Sequence, residues 1–317
     1  MTAAPLVLAA FAAACLPAGS ALAAARWPRR CPVAAIVLWQ ALGLGWGLAA
    51  VGALAGFGAA ADRGSGVAGG AFAQASQVVG GRATAGTRRL VAGLLGLRLL
   101  ALAAGVVLLL LLCWILVAAF AGVFRARRRQ RMLLSLLAHG DPKVPGALVV
   151  DHPAAAAYCV PGLRSRIVIS AGALALLDQA ELAAVIAHER AHLRERHDLV
   201  LLPFTALLRA FRWSAVARQA HAAVALLVEM HADDCALRHR TARELAMALL
   251  RVGSAGGVHA PVGALAVIDC GADGQVAARV SRLLRPAPRL PLAAIALVGA
   301  AAITAVAIPA AFLTLPF

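Results

Sequence analysis

Four stretches of this chain contain no charged side chain: 2–25, 32–61, 99–124 and 290–317. Each exceeds the roughly 20 residues a helix needs to cross the hydrocarbon core of a bilayer. Lipid offers the backbone no hydrogen-bonding partner, so a spanning segment must satisfy its own N–H and C=O groups as a helix. The pattern predicts four transmembrane helices. Only 14% of residues are charged, against about 25% in a soluble domain. For 2–25 a cleaved signal peptide is the alternative, because Ala21-Leu22-Ala23 resembles a cleavage site. No Lys or Arg precedes that apolar run, which counts against it.

The net charge is +16, from 30 basic and 14 acidic residues. All acids except Asp62 fall within 141–273, and the basic residues cluster at the ends of apolar runs. Such clusters set membrane orientation, so no direct nucleic-acid binding is expected. Arg26, Arg29 and Arg30 separate the first two spans, Arg125, Arg127, Arg128, Arg129 and Arg131 follow the third, and Arg282, Arg285 and Arg289 precede the fourth. With alternating spans these clusters share one side, expected to be cytoplasmic. The 62–89 loop, with Arg63, Arg82, Arg88 and Arg89, then lies outside. The Arg125–Arg131 run is expected to meet anionic membrane lipid. Six scattered cysteines with no CxxC pair fit single buried side chains better than a disulfide framework.

The expected organisation is 1–124 with three spans and an external loop, 125–289 as a cytoplasmic domain, and 290–317 as the fourth span. The domain holds all nine histidines. Within it, Asp178 and Glu181 read as a capping box that starts a helix over about 179–197. His188-Glu189-Arg190-Ala191-His192 sits on that helix. His188 and His192 are four apart, so both imidazoles leave one face a turn apart. This suits two ligands on one Zn²⁺, with Glu189 in reach of a water activated there.

Zinc needs a third protein ligand if one position is to remain for reactants. One candidate is Asp198, ten residues beyond His188. That pattern needs a glycine where Glu195 stands, and a continuing helix would carry Asp198 away. The other is Glu229, in Glu229-Met230-His231-Ala232-Asp233, on a helix expected over about 215–239 with Ser214 as N-cap. Glu229 and Asp233 share one face. Glu229 can complete the site while Asp233 receives the free N–H of a ligand imidazole, fixing its tautomer. His231 is read as a surface residue, His197 as a capping or packing residue, and Tyr158 as a packing residue with oxyanion donation the alternative. The run 199–208 is too short to span.

The order His-Glu-x-x-His, helical connection, Glu-x-x-Ala-Asp resembles the membrane gluzincins, namely the HtpX and CAAX-protease group and the BlaR/MecR-like sensor peptidases. The likeness runs from about Val160 to Leu250. It includes Pro161-Gly162, Ile167-Val168-Ile169-Ser170, Gly172, Arg196-His197-Asp198 and Phe211-Arg212-Trp213. Four spans with the peptidase between the third and fourth is similar to the BlaR/MecR layout, whereas Glu-x-x-Ala-Asp is closer to HtpX. Those sensors end in a penicillin-binding domain with Ser-x-x-Lys, but the one lysine here is Lys143, with Gly140 three before it. The resemblance therefore implies a sensor elsewhere: the 62–89 loop, the spans or a partner.

What the resemblance implies is a mainly α membrane protein of four transmembrane helices plus a cytoplasmic gluzincin-type α+β domain. It implies one Zn²⁺ per chain on His188, His192 and Glu229, with Glu189 as catalytic base and Asp233 behind a ligand. The strand 166–170 would pair with extended substrate. The implied activity is zinc endopeptidase cleavage of a protein substrate, foremost a cytosolic winged-helix repressor. Membrane-protein quality control and a catalytically silent receptor are the alternatives.

Overall fold

The computed structural model describes residues 3–63, 85–140, 147–160, 166–255 and 272–314. Most of the 62–89 loop lies outside this set. The chain divides into two compact units: residues 1–22, 37–114 and 296–317, and residues 23–36 and 115–295.

In the first unit, α1 (Ala3–Ala24), α2 (Pro32–Arg63), α3 (Ala85–Leu137) and α10 (Leu292–Thr314) supply four helices long and apolar enough to cross a membrane. This is the pattern of a multi-pass membrane protein. The third helix is longer than its apolar run, because the Arg125–Arg131 segment continues it without a break. Ala41, Ala302 and Ala305 form a buried seam with Phe11, Leu38 and Val306 around them. Gly45 lies so close to Ala305 that a Cβ would collide with its carbonyl. Small residues at such crossings let helix backbones approach, which is how apolar helices associate in lipid.

The second unit is α+β. Four short strands, β1 (Ala138–Gly140), β2 (Ala147–Val150), β3 (Ala157–Val160) and β4 (Arg166–Ser170), form a sheet of order β1-β2-β4-β3. The β2–β4 pair is parallel and the other two are antiparallel. Alternation along β4 splits it between two cores. Ile167 and Ile169 face Ala173, Leu182, Ile186 and Leu193, whereas Val168 faces Val160, Tyr158 and Leu134. Because β4 is central, paired on both sides, it has no edge to offer a substrate. The expectation that 166–170 pairs with substrate is therefore corrected; β3 holds the edge position on that side.

Six helices follow: α4 (Ala171–Leu176), α5 (Gln179–Arg194), α6 (His197–Ala210), α7 (Ala215–Ala236), α8 (Ala242–Ser254) and α9 (Ala272–Leu284). Ser170 caps α4, accepting from Ala173 N at 3.1 Å. Gly172 sits against Pro153, where a Cβ would strike the backbone. The capping box of α5 is present in both directions, with Glu181 N donating to Asp178 Oδ1 at 2.9 Å and Asp178 N donating to Glu181 Oε2 at 3.1 Å. Ser214 caps α7 through Ala217 N at 3.2 Å.

The zinc-motif helix stops earlier than the sequence suggests. Glu195 is its C-cap, and Arg196 takes a left-handed conformation with φ 51°. A non-glycine residue there costs on the order of 1–2 kcal/mol. The break turns the chain sharply enough for His197 to begin α6 buried. Apolar Leu202 and Ala206 of α6 pack on Ala119, Ile115 and Val123 of the third apolar run. Helix α9 docks through Val276, Val280 and Leu283 onto Ala184, Ala236, Leu245 and Ala246.

Candidate metal centre

Helices α5 and α7 pack side by side, and their facing turns carry the two motifs. The ligand atoms of His188, His192 and Glu229 all lie within 4.8 Å of one another. His188 Nε2 and His192 Nε2 are 3.0 Å apart. Glu229 Oε2 is 3.3 Å from His188 Nε2, and Oε1 is 3.5 Å from His192 Nε2. Ligands about 2.0–2.1 Å from a tetrahedral zinc ion sit about 3.3 Å from each other. The three observed edges bracket that value, and two imidazoles with one carboxylate are zinc-type donors, so the residues fit a zinc ion. Glu229 keeps 28% side-chain exposure, which leaves one side of the cluster open to reactants.

Asp233 is 1% exposed and places Oδ1 3.0 Å from His188 Nδ1. This is contact distance, although the ring N–H is imperfectly aligned with the carboxylate. Asp233 and Glu229 are both held by Arg279. Its Nη1 forms an ion pair with Glu229 Oε2 at 2.9 Å, and its Nε and Nη2 donate to Asp233 at 2.9 and 2.7 Å. Beside it, Arg282 forks onto Asp234 at 2.7 and 2.8 Å and donates from Nε to the Arg29 carbonyl at 2.7 Å.

The electrostatics follow from burial and these partners. Burial opposes charge on His188, but hydrogen bonding to Asp233 and Glu229 outweighs it and raises the ring to about 9 in the metal-free protein. For His192 burial outweighs the pull of Glu229 and lowers the ring to about 4. Burial alone would raise Glu229; His192 and Arg279 reverse that and hold it well below the carboxylate range. Asp233 is likewise disfavoured by burial yet held at about 2 by Arg279. Glu189 differs. Burial, aided by Glu229, pushes it up to about 7, a value suited to a group that takes and returns a proton near neutral pH.

Several residues escaped the sequence reading. Arg279 occupies the apolar stripe Val276–Val280–Leu283 of α9, and an arginine on a buried stripe was the signal for it. Cys159, on the edge strand, neighbours Glu189; burial and that neighbour push its thiol up. Alternation along β3 sends Tyr158 to the opposite core, against Leu134 and Val168, so it is a packing residue and no oxyanion donor. His197 is 2% exposed, with Nδ1 3.1 Å from His192 Nδ1. Asp198 is outside the ligand cluster because the broken helix directs it to Arg127, with which it pairs. That pairing gives Arg127 a protein partner in place of the lipid expected for the whole run. His231 is half-buried with its ring against His197, which corrects its reading as a plain surface residue.

With the ligand cluster in place, the family comparison is specific. Residues 124–254 match the model of Peptidase family M48. An M48 domain is a gluzincin-type zinc metallopeptidase, so the match supports hydrolase and protease function, and His188, His192 and Glu229 are a candidate metal site within the matched residues. The M48 match spans the sheet, the zinc-motif helix and α7, and stops before α9, which brings Arg279. No curated protein and no solved structure matches the chain.

Proposed function

We propose that the chain is a membrane-anchored zinc endopeptidase that cleaves protein substrates at the cytoplasmic face. The convergence of His188, His192 and Glu229 donor atoms within 4.8 Å, with Glu189 beside them on α5, supports this reading most directly. Zinc, when bound, supplies Lewis acidity to a scissile carbonyl and to a water molecule. Glu189 takes the proton of the attacking water on its carboxylate and hands it to the leaving nitrogen. Asp233 orients the His188 ring, and Arg279 fixes the two carboxylates of α7. An extended substrate lies along the β3 edge, where backbone pairing presents the peptide with little side-chain selectivity.

Regulatory cleavage of a cytosolic winged-helix repressor is the favoured role, in keeping with the four-span layout. Membrane-protein quality control is the second reading, favoured by Glu229-Met230-His231-Ala232-Asp233. The test compares cells producing wild type or Glu189→Gln, with casein cleavage by the detergent-purified proteins beside it. Loss of an intact DNA-binding protein only with wild type supports regulation. Loss of misfolded membrane proteins supports quality control. No Glu189-dependent cleavage of any protein overturns the peptidase reading in favour of a silent receptor.

A further inference from the structure

A second cluster of metal-ligating side chains lies outside the peptidase centre. The ligand atoms of Glu195, His231 and Cys235 also fall within 4.8 Å of one another. Glu195 caps the end of α5, and His231 and Cys235 stand four apart on α7. Cys235 Sγ and His231 Nε2 are 3.9 Å apart. Sulfur and nitrogen ligands of a tetrahedral zinc ion, at about 2.3 and 2.05 Å, would be about 3.6 Å apart. A shift of a few tenths of an ångström therefore closes the pair on a metal. Glu195 is exposed and the other two are half-buried, so a cation reaches the cluster from solvent.

His197 lies beside this cluster. His197 is buried, and its ring lies edge-on to His192 at 4.8 Å on one side and to His231 at 5.3 Å on the other. Its Nδ1 is engaged at His192, but its Nε2 is buried without a hydrogen-bond partner among the described residues. An orphaned buried imidazole nitrogen is uncommon in a finished structure. Here it belongs to the ring that separates the two clusters.

We infer that Glu195, His231 and Cys235 form a second metal site, for a borderline-soft divalent cation of the zinc class. A thiolate, an imidazole and a carboxylate exclude calcium and magnesium, which take oxygen ligands, and suit zinc. Its ligands come from the two helices that carry the peptidase ligands. A bound ion therefore joins the C-terminal end of α5 to α7 and fixes the spacing of the pair one turn from His192 and Glu229. The site does not depend on the proposed activity, since none of its three ligands belongs to the first cluster.

Cobalt(II) titration of the full-length, detergent-purified, metal-free protein tests this. The peptidase cluster has no sulfur, so a thiolate-to-cobalt charge-transfer band in the near ultraviolet reports the second site alone. Wild type should take up about two equivalents and develop the band. Cys235→Ser and His231→Asn should each bind about one equivalent and develop no band. His188→Ala/His192→Ala should keep the band while losing the other equivalent, and Cys159→Ser should keep both. A wild type that takes up cobalt without developing the band, or a band that survives Cys235→Ser, overturns the proposal. Circular dichroism checks that each variant is folded, and His231→Asn removes a ligand without touching a thiol, so failure of one variant to fold leaves the other to decide.

Discussion

Arg279 grips Asp233 through two nitrogens, Nε at 2.9 Å and Nη2 at 2.7 Å, in the bidentate geometry a guanidinium makes with a carboxylate. Its third nitrogen is on Glu229. One cation thus pairs with two carboxylates that lie one helical turn apart, both within contact distance of His188. Without it α7 would present two negative charges, that of Asp233 fully buried, to the metal cluster.

Replacing Arg279 with Ala should therefore weaken the metal-free protein most. Removing one partner of a buried pair costs about 3–5 kcal/mol. Zinc should recover part of this, because it restores positive charge at Glu229. Arg279→Lys keeps the charge but not the fork and should fall between. Thermal unfolding with and without zinc measures this, and equal melting of Arg279→Ala and wild type in both states would refute it.

The roles on α5 and α7 separate by metal content. Glu189→Gln should retain zinc and lose at least the roughly 10²–10⁴-fold that a general base contributes. Glu229→Ala should lose zinc and activity together. Asp233→Asn should cost on the order of 10–100-fold in affinity or activity, as for a group behind a ligand. Metal analysis beside casein cleavage distinguishes the three; a Glu189→Gln protein that cleaves like wild type would exclude this mechanism.

Zinc affinity should depend steeply on pH because the two histidines start from different states. His192, lowered to about 4, is already neutral at neutral pH. His188, raised to about 9, must lose a proton for Nε2 to bind metal. Affinity should rise by about tenfold per pH unit up to about 9 and then level. The same shift stabilises the metal-free fold below the ring's unfolded value of about 6.5 and is lost as pH rises through 9. Competition with a chelator across pH 6.5–9.5 measures the slope. A flat profile would show that His188 is neutral throughout.

Orientation has its own test. Reporters fused after Arg131 or near Gly256 should read cytoplasmic, and one in the 62–89 loop should read external. The reverse pattern would place the cluster outside and exclude a cytosolic substrate.

What the sequence made legible was whatever is encoded locally. The four apolar helices, the Asp178–Glu181 cap, and the His188/His192 and Glu229/Asp233 spacings follow from helical periodicity and residue type. Long-range closure was hidden. Arg279 lies 46 residues from Asp233, and nothing in the spacing announces which buried acid it serves. Arg196 has no glycine to flag its left-handed turn, so the end of α5 and the return of His197 toward His192 could not be read. Strand order was also hidden, since β4 looks like the better strand by composition but lies between two neighbours. Only pairing reveals that β3 holds the edge.

The position of α9 in the chain has a consequence for biosynthesis. The family match ends at residue 254, and every proposed zinc ligand and Glu189 precede that point. A nascent polypeptide therefore emerges with its full ligand set while Asp233 and Glu229 still face each other without Arg279. The ribosome must add 46 residues beyond Asp233 before the counter-charge exists. Three more bring Arg282, which latches Asp234 to the Arg29 carbonyl, 253 positions away. A chain terminated before residue 279 would keep the proposed ligands but lack the clamp.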